Sequence, residues 1–311
     1  MDKPVPEKVT RAYIVFNPVA GTQSPEVTRK LFEARFTEIN WEYELYETTG
    51  KESVPDITRD AVKQGFDVLI AAGGDGTVGG VAAGVAGTNV PMGILPAGTG
   101  NAMARELSIP LDFSSALALI TGPHDTRLID GMKIGQDLYL LNVGVGISAR
   151  SIRNTGRAQK RRFGNLAYAW NILQELSGFY VRPIDLKVDG RDQRVIASEI
   201  LVLNSGILGV QKLPEGLQVC PDDGKVEIYI VRAQSALDMV SVVWSLMVNQ
   251  REDHPKLQTI SAEKSISINA RRRMVVQADG EVVGNTPVSV QIIPNAVRII
   301  TPSPPEAQQT G

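Results

Sequence analysis

The chain has 311 residues, 43% of them hydrophobic, and a formal net charge of -2. That length and apolar content suit roughly two packed domains, and the balanced charge argues against a basic nucleic-acid binder, so no nucleic-acid partner is expected. A single cysteine, Cys220, excludes an internal disulfide, suits a reducing cytoplasm and reads as an inert core or strand residue.

The opening MDKPVPEKVT lacks the apolar stretch of a signal peptide. No apolar run reaches the roughly 18 residues that a membrane span needs. RAYIVF (11–16) reads as a buried strand. Ser24 and Pro25 then start a helix, with Val27, Leu31, Phe32, Phe36 and Ile39 at helical spacing. WEYELYE alternates as a strand, VPDITRDAVKQG is a second helix ending near Gly65, and FDVLIAA is a third strand. A glycine loop follows, then the small-residue helix TVGGVAAGVAG. The strand VPMGILP runs into a second glycine loop, AGTGN, and the helices NAMAREL and SSALALITG come next. This alternation predicts a parallel α/β domain.

Near residue 125 the pattern changes to hairpins. Turns are expected at Gly135 to Asp137 and at Asp189-Gly190, Asp223-Gly224 and Asp279-Gly280. Helices at 164–177 and 235–249 interrupt a mostly antiparallel β domain; ALDMVSVVWSLMV within the second carries Asp238 and reads as a buried helix. The proline-rich tail from 303 to 311 reads as disordered.

The loop GGDGTVG fits the G-x-G-x-x-G dinucleotide pattern at Gly74, Gly76 and Gly79. That pattern expects an acid about 20 residues on, and none occurs between Asp75 and Glu106. The acid lies instead inside the loop, where it would repel a bare pyrophosphate. A cation between carboxylate and phosphates resolves the conflict, because Mg²⁺ is commonly shared by one or two carboxylates and substrate phosphates. Glycines let backbone N–H groups approach phosphates, the next helix adds its N-terminal dipole, and Thr77 offers a hydroxyl. The loop therefore predicts a nucleotide with Mg²⁺ and phosphoryl transfer. A plain βα turn is the bland reading for Gly73, Gly74 and Gly76. Asn101 reads equally as a helix cap, and Asn17 before Pro18 as a turn residue. His124 and His254 are isolated and receive no role.

GGDGT (73–77) together with LPAGTGNAMAREL (95–107) resembles the catalytic domain of the diacylglycerol kinase and sphingosine kinase family, including the soluble bacterial lipid kinases. FNPVAG (16–21) resembles that family's first nucleotide loop, and ADGE (278–281) its C-terminal Asp-Gly-Glu element. The resemblance implies an N-terminal Rossmann-like α/β domain at 1–126, of the phosphofructokinase and NAD-kinase kind, that binds ATP. It implies a C-terminal antiparallel β-sandwich with inserted helices at 127–296 for the lipid, an active site in the cleft between them, and AVRIIT (297–302 region) returning to the first domain. Asn17, Thr49, Gly73, Gly74, Asp75, Gly76, Thr77, Gly98, Thr99, Gly100 and Asn101 would surround the nucleotide. Asp279 would be the general base, with Glu281 orienting it or joining the metal network and Asp75 next to it in the catalytic set. Asp223 matches the aspartate of a structural Mg²⁺ turn, although Lys225 replaces the usual leucine and GVQKLPEGLQV the usual glycine-rich segment.

The expected partners are ATP, a diacylglycerol-like or long-chain-base membrane lipid, and an anionic bilayer met peripherally from the cytoplasm. A homodimer is implied by the family alone. Arg150, Arg153, Arg157, Lys160, Arg161 and Arg162, with Arg271 to Arg273, are candidates for the bilayer contact or for a solvated surface. An NAD kinase-like enzyme and a non-catalytic nucleotide- or lipid-binding regulator are the alternatives.

Overall fold

The computed structural model describes residues 9–21, 23–154, 180–208, 211–212, 219–247 and 254–303. The sequence-predicted helix at 164–177, the basic residues Arg157, Lys160, Arg161 and Arg162, and the tail from 304 onward lie outside the described residues. Two compact units are present, residues 1–128 with 297–311, and residues 129–296. Among the described residues no helix is long and apolar enough to cross a membrane.

The first unit is built on the parallel strands β1 (Arg11–Phe16), β2 (Glu42–Glu47), β3 (Val68–Gly73) and β4 (Met92–Pro96), in the order β2-β1-β3-β4. β1, β3 and β4 are almost wholly buried, which fits their continuous apolar runs. The helices are α1 (Pro25–Glu38), α2 (Val54–Lys63), α3 (Asp75–Val85), α4 (Ala102–Glu106) and α5 (Phe113–Thr121). Ser24 occupies the N-cap of α1, but its hydroxyl donates to Glu26 rather than capping a backbone group. The glycines of α3 let it press against α2. A Cβ at Gly80 would lie 2.7 Å from Val54, and one at Gly84 would lie 2.3 Å from Thr58. The C-terminal end of the last strand, β18 (Val288–Thr301), adds to the same sheet beside β4, with Ile299 opposite Met92.

The second unit is a β-sandwich. It contains β5 (Asp125–Ile134), which starts in the first unit, β6 (Asp137–Tyr139), β7 (Asn142–Gly146), α6 (Ile147–Asn154), β8 (Arg182–Val188), β9 (Arg191–Ala197) and β10 (Glu199–Leu203). After the short pair β11 (Ile207–Leu208) and β12 (Gln211–Lys212) come β13 (Val226–Val231), α7 (Ala236–Met247), β14 (Leu257–Ala262), β15 (Ser265–Ala270), β16 (Val275–Ala278), β17 (Glu281–Asn285) and β18. One sheet runs β14-β13-β10-β7-β16-β17, and β18-β15-β8-β9 forms the other layer. Alternate residues from both, among them Val143, Val145, Ile200, Val276, Leu186 and Ile268, make a single apolar core.

Three expectations are corrected here. Asp223-Gly224 is a turn ahead of β13 and not a hairpin tip, because the described residues directly before it, 219–222, form no strand. Cys220 is exposed in that same segment rather than buried or in a strand. α7 is not a buried helix: Val242 and Ser245 are buried, but Leu237, Val240 and Trp244, which share a face, are 80%, 62% and 65% exposed. A twelve-residue apolar segment is compatible with one packed side and one open side, and composition alone does not separate the cases.

Strand β7, Asn-Val-Gly-Val-Gly, shows how the sandwich makes room for polar groups. Its valines enter the core, while Asn142, Gly144 and Gly146 face the other way. Gly146 is opposite Glu199 of β10, and Gly144 is opposite Gln277 of β16. A Cβ at Gly146 would sit 2.7 Å from Glu199 Oε2, and one at Gly144 would sit 2.6 Å from Gln277 Nε2 and 2.5 Å from Ser148 Oγ. The two glycines leave a trough, and Glu199, Ser148 of α6 and Gln277 fill it.

Glu199 is fully buried. Burial, opposed by hydrogen bonds from the Ser148 hydroxyl and N–H, pushes its carboxyl up from 4.5 to about 7. The folded state therefore holds this proton more tightly than the unfolded chain does. Stability should fall as pH climbs from roughly 4.5 to about 7 and level off above, a loss of about 3 kcal/mol if the whole shift is realised. Thermal melts at pH 5 and pH 8 should show wild type losing more than Glu199→Gln; parallel losses would refute the assignment.

Candidate functional site

In the first unit all four parallel strands end at one edge of the sheet, and the predicted nucleotide residues lie on the loops that leave it. The strand order reverses direction between β1 and β3, and the crevice at the C-terminal ends of strands beside such a reversal is where open α/β sheets bind ligands. The loop after β1 is anchored there. Asn17 N–H donates to Ala72 O at 2.9 Å, and Asn17 Oδ1 accepts from Val19 N–H at 3.2 Å. Gly21, at φ +76°, comes so near the loop after β4 that a Cβ would lie 2.6 Å from Ala97 O.

The two glycine loops touch backbone to backbone. Ala97 N–H donates to Gly73 O at 2.9 Å, and a Cβ at Gly98 would lie 2.7 Å from Gly74 Cα. Asp75 joins them. Its Oδ2 accepts from Asn101 N–H at 3.1 Å, and its Oδ1 from Ala102 N–H at 2.7 Å, so the acid of one loop caps the helix that opens after the other. Burial pushes the Asp75 carboxyl up against the pull of these bonds. The acid between glycines thus has a structural task that the sequence did not reveal. Asn101 sits in the left-handed region at φ 50° and makes no side-chain cap. Its amide instead closes the loop through Gly98 N–H and Gly98 O. Thr77 is buried, its hydroxyl lying over Gly73, where a Cβ would be 2.4 Å away. Thr99 is exposed, and Gly100 O accepts from Arg105 Nε at 2.9 Å. Thr49 lies past the end of β2, with its hydroxyl donating to Glu52 at 2.6 Å.

Gly76 differs from its neighbours. It is exposed in the first turn of α3, and a Cβ there would meet nothing within 4 Å. The protein itself does not require glycine at this position, although glycine costs a helix about 1 kcal/mol relative to alanine.

In the second unit Asp279 and Gly280 form the two-residue tip of the β16–β17 hairpin, with φ of 46° and 81°, as a type I′ turn requires. The Asp279 carboxylate lies in a nest of consecutive backbone donors between β6 and β7. Oδ2 accepts from Leu140 N–H at 2.8 Å, and Oδ1 accepts from Leu141 and Asn142 N–H at 3.0 and 2.9 Å. Glu281 is exposed and opens β17 directly after the turn. Sequence reasoning missed Tyr139. Burial first, then the charges of Asp137, Asp279 and Glu281, push its phenol up to about 12. It also missed Gln277 and Asn142, whose side chains meet beneath the turn.

The same nest occurs again in this unit. Asp189, at the tip of the β8–β9 hairpin, accepts from Glu263 N–H through Oδ2 and from Lys264 and Ser265 N–H through Oδ1. Burial pushes its carboxyl up, and the three N–H bonds outweigh this and leave it below the usual range.

Asp223 is exposed. Its Oδ1 accepts from Lys225 N–H at 3.0 Å, and the Lys225 ammonium pairs with Glu263 at 3.0 Å. Behind it, Asp130 is 1% exposed and accepts from Gly224 and Asn295 N–H. Burial, with Asp223 and Asp222 adding their charge, pushes the Asp130 carboxyl up. Among the described residues no group of three or more His, Cys, Asp or Glu side chains is placed to hold a metal ion.

Comparison with known proteins gives a consistent result. The diacylglycerol kinase catalytic domain matches residues 11–134, and the YegS C-terminal NAD kinase beta sandwich-like domain matches residues 141–301. A diacylglycerol kinase of Staphylococcus saprophyticus is 30% identical over 94% of this chain and 96% of its own. An uncharacterized protein of Synechocystis is 28% identical over 95% of this chain and 71% of its own. The crystal structure of a diacylglycerol kinase from Bacillus anthracis superposes with a TM-score of 0.75 at 22% identity, covering 95% of this chain and 98% of that one, which shows the shared fold.

Proposed function

The chain belongs to the diacylglycerol kinase family of lipid kinases, and on that premise we propose that it transfers the γ-phosphoryl group of Mg²⁺-ATP to a hydroxyl of a diacylglycerol-like or long-chain-base membrane lipid. The observation that carries the nucleotide half is Gly76. An exposed glycine at a helix N-terminus, beside the strand-order reversal and with no steric need inside the protein, leaves room for a phosphate to reach backbone N–H groups. Asn17, Thr49, Gly73, Gly74, Gly98, Thr99, Gly100 and Asn101 shape the loops around it. Thr77 supports the loop from beneath with its buried side chain.

Both Asp75 oxygens already accept N–H bonds, so this carboxylate suits Mg²⁺ through a bridging water rather than as a stripped ligand. Asp223 is the candidate for a second, structural divalent ion on its motif match alone, since no group of three acidic side chains among the described residues is placed to hold one. The opposing feature is the Lys225 ammonium, and its pairing with Glu263 draws it off. On the acceptor side Asp279 takes the lipid hydroxyl proton, with Glu281 and Tyr139 tuning its field. A lipid acceptor brings a cytoplasmic protein to the bilayer peripherally, and the exposed Leu237, Val240 and Trp244 face of α7 supports such a contact. Self-association as a homodimer belongs to the same reading.

The deciding experiment is a labelled-ATP assay against a vesicle-borne lipid panel with NAD included, with and without Mg²⁺. A Mg²⁺-dependent phospholipid product is expected. Phosphorylation of NAD without any lipid requirement would replace the proposal with a dinucleotide kinase, and ATP binding with no product would replace it with a regulator. In the same assay Gly76→Ala should raise the KM for ATP by about tenfold while stabilising the fold by about 0.5–1 kcal/mol. An unchanged KM would remove Gly76 from the phosphate site.

A further inference from the structure

We infer that Gln277 is a positioning residue for Asp279, an inference that rests on reading Asp279 as the general base. Gln277 is 2% exposed and projects from β16 away from the apolar core, into the trough left by Gly144. Its amide ties two points of the hairpin tip. Oε1 accepts from Gly280 N–H at 3.0 Å, and Nε2 donates to Asn142 Oδ1 at 2.8 Å. Asn142 is in turn bound twice to Asp279: its N–H reaches Asp279 Oδ1 at 2.9 Å, and its carbonyl accepts Asp279 N–H at 3.0 Å. The carboxylate, the turn behind it and the strand that supplies its donors are therefore fixed to one side chain.

That side chain has one productive orientation, because a flipped amide would set its NH₂ against Gly280 N–H. Gly144 is what permits the arrangement. Across it, Ser148 donates to buried Glu199, so the trough is polar on both sides and closed by α6. An apolar residue of equal length would fill the same space with no polar group to satisfy. The amide is thus explained by the geometry it imposes on the turn. Asp189 has the same nest without this brace: the residue at the corresponding place in β8 is Lys187, exposed and paired with Asp192.

Gln277→Met and Gln277→Glu test the inference, with dioctanoylglycerol as acceptor and amide hydrogen exchange as a readout that needs no substrate. Gln277→Met should lower kcat about 10-fold or more with the KM for ATP within twofold, and should speed exchange at Gly280 and at Leu140 to Asn142. Gln277→Glu keeps an acceptor for Gly280 N–H and should recover part of the turnover. The added carboxylate should move the acid limb of the pH–kcat profile to higher pH. Wild-type kcat and exchange in Gln277→Met, with only a lower melting temperature, would make Gln277 a packing residue and overturn the inference. Should Gln277→Met fail to fold, an unmoved pH profile in Gln277→Glu overturns it equally. Asp279→Ala separates the two layers: normal turnover there sinks the general-base reading itself, whereas an inactive Asp279→Ala beside a fully active Gln277→Met sinks only the positioning role.

Discussion

Asp279→Asn should lower lipid turnover by roughly 10²-fold or more while ATP affinity stays within a few-fold, and Asp189→Asn should leave turnover intact. A lipid hydroxyl is a poor nucleophile and must lose its proton as the phosphoryl group arrives. The transition state is largely dissociative, so a placed base adds only part of the acceleration. The structure makes the single variant ambiguous. An asparagine has one acceptor oxygen, so whichever way it turns, an NH₂ faces a backbone N–H of the nest, at a cost of about 1–3 kcal/mol. Asp189 resolves the ambiguity because its nest uses the same oxygens on the same pattern of donors. Both variants should therefore lose similar stability, and only Asp279→Asn should lose turnover per folded molecule. Equal destabilisation with turnover retained in both would make Asp279 a turn residue and pass the base role to Asp75.

Asp75→Asn should lose most activity, about 10²-fold, with the fold intact, and its kinetic signature should differ from that of Asp279→Asn. Asp75 fastens the start of α4 to the first glycine loop through Asn101 and Ala102 N–H. Asparagine keeps one acceptor and drops the charge. Asp75→Ala drops both acceptors and should cost about 1–2 kcal/mol, the worth of a helix cap. Because the loops it joins are the ones proposed to hold ATP, the KM for ATP should rise as kcat falls, whereas Asp279→Asn should change kcat alone. Calorimetric ATP titration and initial rates separate the two patterns, and wild-type turnover in Asp75→Asn would sink the nucleotide assignment.

Both halves of the fold were legible from periodicity, and the strands and helices of the first unit lie close to where their apolar spacing puts them. The fine roles were not legible, for reasons of distance along the chain. Asp75 reads as a metal acid, and its further partners, the N–H groups of Asn101 and Ala102, become visible only when β3 and β4 pair. Thr77 reads as a phosphate donor, and nothing in GGDGT shows that its side chain also lies against Gly73. Asp189 and Asp279 read alike as hairpin signals, and they are alike; what separates them is Gln277, whose use depends on β16 lying beside β7. The Val-Gly-Val-Gly run of β7 did carry a signal, since glycines alternating with core valines leave space on one face of a sheet. Its occupants come from flanking strands that no local pattern identifies.

The last strand adds a constraint on the order of events during synthesis. The first unit is not a contiguous stretch of chain: Val297 to Thr301, the end of β18, lies beside β4. A ribosome releases residues 9–128 long before that end is made. Throughout translation of the whole sandwich the nascent sheet carries β4 as an open edge, with the N–H and C=O groups on the side away from β3 unpaired. The loops that follow β3 and β4 hang from that unfinished edge, so the portion of the chain synthesised first is the last to be completed.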